Sequence, residues 1–436
     1  KDGHKARFVL QNNIVAWRVK TLFSKEPDTI SWIERMLPGE KLFDVGANMG
    51  GYAIWAAARG VDVTAFEPDA QNFAVLCENI AVNKRDTIRA YPIALSTRDG
   101  LNTLYLSQVQ AGMSCHSVGE AIGPDLQPRK GIAQGAITAR LDTLVKTLGA
   151  PDHIKIDVDG LEHRVIEGAG VLMDDPALKS ILLEVNTNLP EHQAMTKALA
   201  AKGFHADAEQ FNGVMRQEGS FKGCTEMIFR RLHPAEKHLL SAIERAKVVE
   251  KPFPHLYLTD VFPPKFYAEL LAALDGEYKP IAEVRDSIKG YPNRLMAVNP
   301  PLVWQTLNQW MTANTLRYAL LRKFGLAHEG TRDETLLLRD TPGYALGPHT
   351  DATFKVVSAV FYLAKNARKP ALGTTIYVPK DKKFRCPGGP HHDRKGFKPV
   401  RTMPYAPNSM VVFAKTDNSF HGVEPTTAER DVLIYD

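Results

Sequence analysis

Over the first half of the chain, short apolar runs alternate with segments whose apolar residues recur every three to four positions. KLFDVG at 41–46 reads as a buried strand, followed by a helix through Tyr52–Arg59; VDVTAFE and a helix through Ala70–Val82 repeat the unit. HIKIDVD, a helical stretch Glu162–Met173, SILLEVN, a helix Leu189–Ala201 and GCTEMIFRR continue it. This alternation predicts a mostly parallel sheet covered by helices on both faces. Ahead of it, Ile30, Ile33 and Leu37 lie at helical spacing within Glu26–Leu37, an entry helix or lid.

The texture changes near residue 235. An amphipathic helix over Pro234–Val249, with Leu239, Leu240, Ile243 and Ala246 on one face, leads into helices at Lys265–Leu274 and Leu302–Phe324. Short β runs follow: ETLLLRD, FKVVSAVFYLA, TTIYVP, SMVVFA and DVLIYD, separated by Gly, Pro and Asn turns. Such runs predict an antiparallel sandwich or barrel buttressed by the helices. The fold class is therefore α/β plus mainly β, with an α/β domain at 1–233, a linker helix at 234–251 and a β domain at 252–436.

Composition narrows the function classes. With 436 residues, 44% apolar and a net charge of +5, the chain is neither disordered nor a nucleic-acid-coating polycation. No apolar run approaches the ~20 residues of a membrane span. Four scattered cysteines without a CxxC pair or secretory leader point to a reducing compartment, so a cytoplasmic location is expected. The charge is local: Lys380–Arg401 holds eight Lys/Arg against two Asp. That segment is either a solvated loop or a positive lip steering an anionic substrate. Nucleic acid is not expected, since only Phe384 and Phe397 there could stack on bases. Zinc at Cys386, His391 and His392 lacks a fourth donor.

Two constellations carry chemistry. In the first, Asp44, Gly46, Asn48 and Gly50 lie in a strand-to-helix turn, FDVGANMGG, where glycines let backbone approach a ligand. Glu67 ends the next strand, 23 positions after Asp44, where a carboxylate can accept both hydroxyls of a ribose. Asp157 and Asp159 end HIKIDVD, and Glu184 ends SILLEVN. These acids could orient or deprotonate a hydroxyl or share a divalent metal; alternatively Asp159 and Glu162 only cap the helix that follows. The turn resembles the S-adenosylmethionine site of class I methyltransferases. WRVKTLFSKEPDTISWI, FDVGANMGGYAIWAAARG, AFEPDAQNFAVLCENI and IKIDVDGLEHRVIEGAG together resemble the FkbM family. That resemblance implies a Rossmann-like domain transferring methyl groups to a hydroxyl, often on a sugar or natural product.

In the second, His349 and Asp351 precede an apolar strand and His421 follows another, seventy positions after Asp351. Two imidazoles and a carboxylate on one face of a metal leave open positions, as in non-haem iron(II) oxygenases. The rival His391-His392-Asp393 sits in a Gly/Pro/Lys loop with no strand to fix it. Arg430, nine residues beyond His421, suits the distal carboxylate of 2-oxoglutarate, with the Tyr362 hydroxyl in support. LLRDTPGYALGPHTD, LGTTIYVP, PNSMVVF, HGVEP and ERDVLIYD resemble the prolyl-hydroxylase-like branch of 2-oxoglutarate/iron(II) dioxygenases. The resemblance implies a double-stranded β-helix (jelly roll) and hydroxylation coupled to decarboxylation of 2-oxoglutarate.

The expected protein is a bifunctional tailoring enzyme acting on a small molecule or saccharide, an anionic one being admitted by the basic loop. Two alternatives stay open: a methyltransferase with a catalytically inactive oxygenase-fold binding module, and a peptide hydroxylase-methyltransferase. Homo-oligomerisation is open as well.

Overall fold

Six strands form the first sheet, in the spatial order Cys224–Arg230, Ser180–Asn186, His153–Ile156, Lys41–Val45, Asp62–Phe66 and Ile88–Tyr91. All neighbours run parallel except Cys224–Arg230 against Ser180–Asn186. Because side chains alternate along a strand, one sheet feeds two cores. Phe43, Val45, Ile154, Ile156, Ile181 and Leu183 pack on one face, and Leu42, Val63, Ala65 and Leu182 on the other. The expected α/β architecture is present. It aligns the C-terminal ends of neighbouring parallel strands, which is where such sheets bind ligands. In this computed structural model, residues 3–210, 215–285, 290–327 and 330–436 are described.

Helix boundaries differ from the sequence expectation where local chemistry intervenes. The stretch Glu162–Met173 is an α-helix only over Glu162–Glu167, with a 3-10 turn at Leu172–Asp174. At Gly168 a Cβ would meet the Ser96 carbonyl oxygen at 2.2 Å, so the chain passes that backbone too closely for a side chain. Unforeseen were a helix at Asn13–Thr21, capped by the Asn12 side chain, and a small sheet of Ile93–Leu95, Ile132–Ala139, Gly100–Leu106 and Ser117–Val118.

The chain divides into two units, Lys1–Leu232 and His233–Asp436. In the second, seven strands lie in the order His255–Thr259, Ser409–Ala414, Val357–Tyr362, Arg430–Tyr435, Thr335–Asp340, Arg294–Val298, Glu277–Pro280. A smaller antiparallel sheet has the order Leu346–His349, His421–Val423, Thr375–Pro379, Phe397–Thr402. Alternation again splits the larger sheet. Val411, Phe413, Leu338 and Tyr362 pack with Ile376 of the smaller sheet, while Val412, Ala359 and Leu433 pack on helices. Those helices include Pro234–Arg245, read from sequence as a linker, whose Leu239 and Ile243 are buried in this core. The long helix expected over Leu302–Phe324 is two, Leu302–Met311 and Thr315–Phe324, because Asn314 adopts a φ of 73° that no α-helix continues through. Among the described residues no helix is long and apolar enough to cross a membrane.

Candidate active sites

A cavity of ≈ 380 Å³ opens at the strand ends of the first unit, lined by Gly46, Asn48, Glu67, Asp157, Asp159 and Glu184 among others. Asn48, held at a φ of 50°, donates its backbone N–H to Glu67 Oε2 at 2.7 Å, and the Asp69 N–H donates to Oε1 at 2.8 Å. Glu67 is thus fixed by backbone, and burial pushes it up to about 7. His116 borders the same cavity. Its Nδ1 accepts from the Ser107 N–H at 3.1 Å, which leaves the proton on Nε2, 3.5 Å from Asp69 Oδ2.

Two of the expected cofactor residues stand elsewhere. Asp44 does not line the cavity; it is buried behind it, 4.0 Å from the Lys155 ammonium. Gly50 also lies outside it. With a φ of 84°, and with a Leu76 methyl group 2.5 Å from where a Cβ would stand, it serves the turn into Gly51–Ala58. Gly46 lines the cavity but has a structural duty too: a Cβ would fall 1.9 Å from the Asp157 carbonyl oxygen.

The three acids expected near the acceptor occupy one wall. Asp157 pairs with Lys155 at 3.2 Å, and Glu184 with Arg216 at 3.1 Å. Asp159 accepts the Cys115 N–H at 2.7 Å. Burial, then the Asp157 charge, push Asp159 up to about 6; the same causes raise Glu184 well above the usual carboxylate range. Asp157, Glu162 and Glu184 offer oxygens within 4.8 Å of one another. Glu162, which the sequence left as a cap, is fully buried, accepts the Val158 and Gly160 N–H groups, and is pushed by burial up to about 8. The cations Lys155 and Arg216 were not foreseen: Lys155 lies within HIKIDVD, which was read for its acids, and Arg216 lies outside the segments quoted from the sequence.

In the second unit, the strand pairing sets His349 directly opposite His421. Their Nε2 atoms lie 3.9 and 3.7 Å from Asp351 Oδ1, and the three ligand atoms fall within 4.8 Å of one another. His349 Nδ1 donates to the Gly347 carbonyl at 2.9 Å and His421 Nδ1 to that of Ser419 at 3.0 Å. A carbonyl only accepts, so each Nδ1 carries the proton and each Nε2 offers a lone pair. Ser358 Oγ donates to Asp351 Oδ2 at 2.8 Å, leaving Oδ1 for the shared point. Burial and the neighbouring His421 drive His349 down to about 3, keeping it unprotonated. This donor set fits a divalent first-row metal.

Arg430 is buried, but its guanidinium is engaged. Nε donates to Asp340 at 2.8 Å and Nη1 to the Leu372 carbonyl at 2.5 Å. Asp340 also holds Arg294 through bonds of 2.6 and 3.0 Å. The Tyr362 hydroxyl, expected to reach the same ligand, instead accepts the Thr374 N–H at 2.8 Å. Tyr344 is buried with a hydroxyl that lacks a hydrogen-bond partner among the described residues, and Arg294 and Arg430 lie 4.2 Å and 5.8 Å from its ring.

The basic segment departs from the expectation that nothing fixes it. His391 lies with its ring 4.4 Å from that of His349, and His392 is packed against Phe384 and Phe397. One backbone bond, from the His392 N–H to the Pro348 carbonyl, ties the loop to the ligand-bearing strand there, a register that residue types alone do not encode.

Comparison with known proteins bears on the first unit. The family described as the methyltransferase FkbM domain matches residues 44–206. Those residues form a methyltransferase FkbM domain. The hexuronic acid methyltransferase AglP of Haloferax volcanii is 24% identical over 216 residues, 48% of this chain and 82% of that protein. The 31-O-demethyl-FK506 methyltransferase FkbM of Streptomyces tacrolimicus is 28% identical over 198 residues, 40% and 75% of the two chains. Both relatives are methyltransferases by name. Among solved structures, EvdMO1 aligns over 99% of this chain and 92% of its own at 13% identity and a TM-score of 0.32. A Pseudomonas putida prolyl-4-hydroxylase covers 45% of this chain and 95% of its own at 20% identity and a TM-score of 0.29. Neither TM-score carries an activity over to the second unit.

Proposed function

We propose that this protein is a two-site tailoring enzyme. Its FkbM domain moves a methyl group from S-adenosylmethionine to a hydroxyl of a saccharide or glycan-linked acceptor. Its second unit, a jelly roll, holds iron(II) and hydroxylates a C–H bond with O2, one oxygen atom going to the substrate and the other to 2-oxoglutarate as it is converted to succinate and CO2. The observation that carries the oxidative half is the gathering of one nitrogen each of His349 and His421 and one Asp351 oxygen within 4.8 Å of one another.

In the methyl-transfer site, Gly46, Asn48 and Glu67 would bind the cofactor, with Glu67 accepting the ribose hydroxyls. Displacement at a sulfonium methyl needs an aligned oxygen nucleophile and a group to take its proton. Asp159 suits that second role, because a carboxyl raised to about 6 is ionised at neutral pH yet more basic than an ordinary carboxylate. Asp157 and Glu184 line the same wall and would orient the acceptor. The hexuronic acid acted on by one relative favours a sugar acceptor, and Arg216, half-exposed beside Glu184, offers an anionic one a partner.

In the second unit, His349, Asp351 and His421 would hold the iron, which supplies oxidising power when bound with 2-oxoglutarate. The Gly347 and Ser419 carbonyls fix both imidazoles in the ligating tautomer. Tyr344 with Arg294 and Arg430 would bind the distal carboxylate of the oxo-acid. The ties of Arg430 to Asp340 and Leu372 favour a second reading, in which this unit binds substrate without oxidising it.

Succinate release separates the two. Incubation with iron(II) and 2-oxoglutarate should yield succinate that His421→Ala abolishes. A metabolite extract supplied with both cofactors should gain methylated products absent in Glu67→Ala and hydroxylated products absent in His421→Ala. No succinate from the wild type would leave the binding-module reading.

A further inference from the structure

We propose that His391 is a fourth protein donor of the second unit's metal site, filling one of the positions that the two-histidine, one-aspartate face leaves open. The inference rests on the triad reading above and concerns a residue that no part of that reading uses. The His391 ring centroid lies 4.4 Å from that of His349, the same separation as between His349 and His421. His349 therefore has an imidazole neighbour at the same distance in His391 as in His421, and the His391 nitrogens, which lie outside the 4.8 Å cluster of His349, Asp351 and His421, would reach a metal there by a swing of the side chain.

The position is built. The His392 N–H donates to the Pro348 carbonyl at 2.8 Å, and Thr350 Oγ1 donates to the Cys386 carbonyl at 2.9 Å, so the loop is stitched to the ligand strand on both sides of His391. Gly347 has no room for a side chain: its Cβ would sit 2.7 Å from the His392 carbonyl oxygen. By contrast, the His391 ring itself is loosely held. Its one hydrogen-bond partner among the described residues is Tyr291 Oη, 3.5 Å from Nε2, and no carbonyl fixes its tautomer. A neutral imidazole loosely held on a fixed backbone can enter a metal's coordination sphere and leave it. Four protein donors leave two positions of an octahedral ion, enough for a chelating oxo-acid, and a third outside ligand must wait until the imidazole swings away.

Copper(II) alone, at less than one equivalent, is the probe, because nitrogen hyperfine structure in its paramagnetic resonance spectrum counts the bound imidazoles. The wild type should show three nitrogens and His391→Ala two, with affinity weakened by about tenfold. Tyr291→Phe should retain three. Two nitrogens in the wild type overturn the proposal whatever the variants do, and so do three in His391→Ala. If His349→Ala and His421→Ala leave copper binding untouched, the triad reading fails instead, a result distinct from the loss of His391 alone.

Discussion

The Nδ1 atoms of His349 and His421 each face a carbonyl two residues earlier in the chain, and Asp351 is held by Ser358 through the oxygen that does not face them. Ligand orientation is thus set by single hydrogen bonds, and the one from Ser358, a side-chain hydroxyl, can be removed by substitution. Ser358→Ala should lower cobalt(II) affinity by about 10- to 100-fold in titration calorimetry, the usual cost of losing an outer-shell partner, while leaving S-adenosylhomocysteine binding intact. Glu67 offers a test by pH. Burial raises it to about 7 from 4.5, so below pH 7 the carboxyl is protonated, and a ribose hydroxyl donating to it must first displace that proton. Affinity for S-adenosylhomocysteine should then fall by up to about tenfold per unit below pH 7 and level off above it, with proton release on binding in the falling range. A flat profile from pH 6 to 8.5 would remove Glu67 from the cofactor site.

Elements decide which of these residues can meet. The antiparallel pairing of Leu346–His349 with His421–Val423 closes a seventy-residue gap between Asp351 and His421, and the HxD spacing with an apolar strand behind it was enough to anticipate that meeting. Alternation along Thr335–Asp340 explains a different outcome: Asp340 points inward to Arg294 and Arg430, while Arg339 points away to Asp431 at 2.7 Å. The order of apolar runs announced the first sheet, because buried strands leave long hydrophobic signatures. The small sheet of that unit left none, since Ile132–Ala139 is buried only at its last two residues. Nor could residue types tell that the His391 ring packs beside that of His349, because a backbone bond from His392 to Pro348 sets that register. Gly46 illustrates an element-level constraint. With a φ of 80° and the Asp157 carbonyl 1.9 Å from a would-be Cβ, Gly46→Ala should push the strand ends apart. It should cost the first unit more than about 2 kcal/mol, a drop of several degrees in its melting temperature, and abolish S-adenosylhomocysteine binding.

At the scale of the whole molecule, each unit has its own hydrophobic clusters, those of Phe43 and Leu42 in the first and those of Leu256 and Leu338 in the second. Separate cores predict separate melting events. Calorimetry should resolve two transitions, the one lowered by Gly46→Ala rising with S-adenosylhomocysteine and the other with cobalt(II), by mass action on each site. A single transition that both ligands raise would instead show the two cores melting together. The basic segment adds a practical consequence through Cys386, which is buried among Phe384, Phe397 and Phe420 and whose carbonyl anchors Thr350. Its thiol is shielded for as long as that anchorage lasts, whereas Cys77 is exposed. Pulse alkylation followed by peptide mass spectrometry would therefore turn Cys386 into an internal reporter of how often the wall beside the triad detaches, with Cys77 as the reference for unhindered labelling.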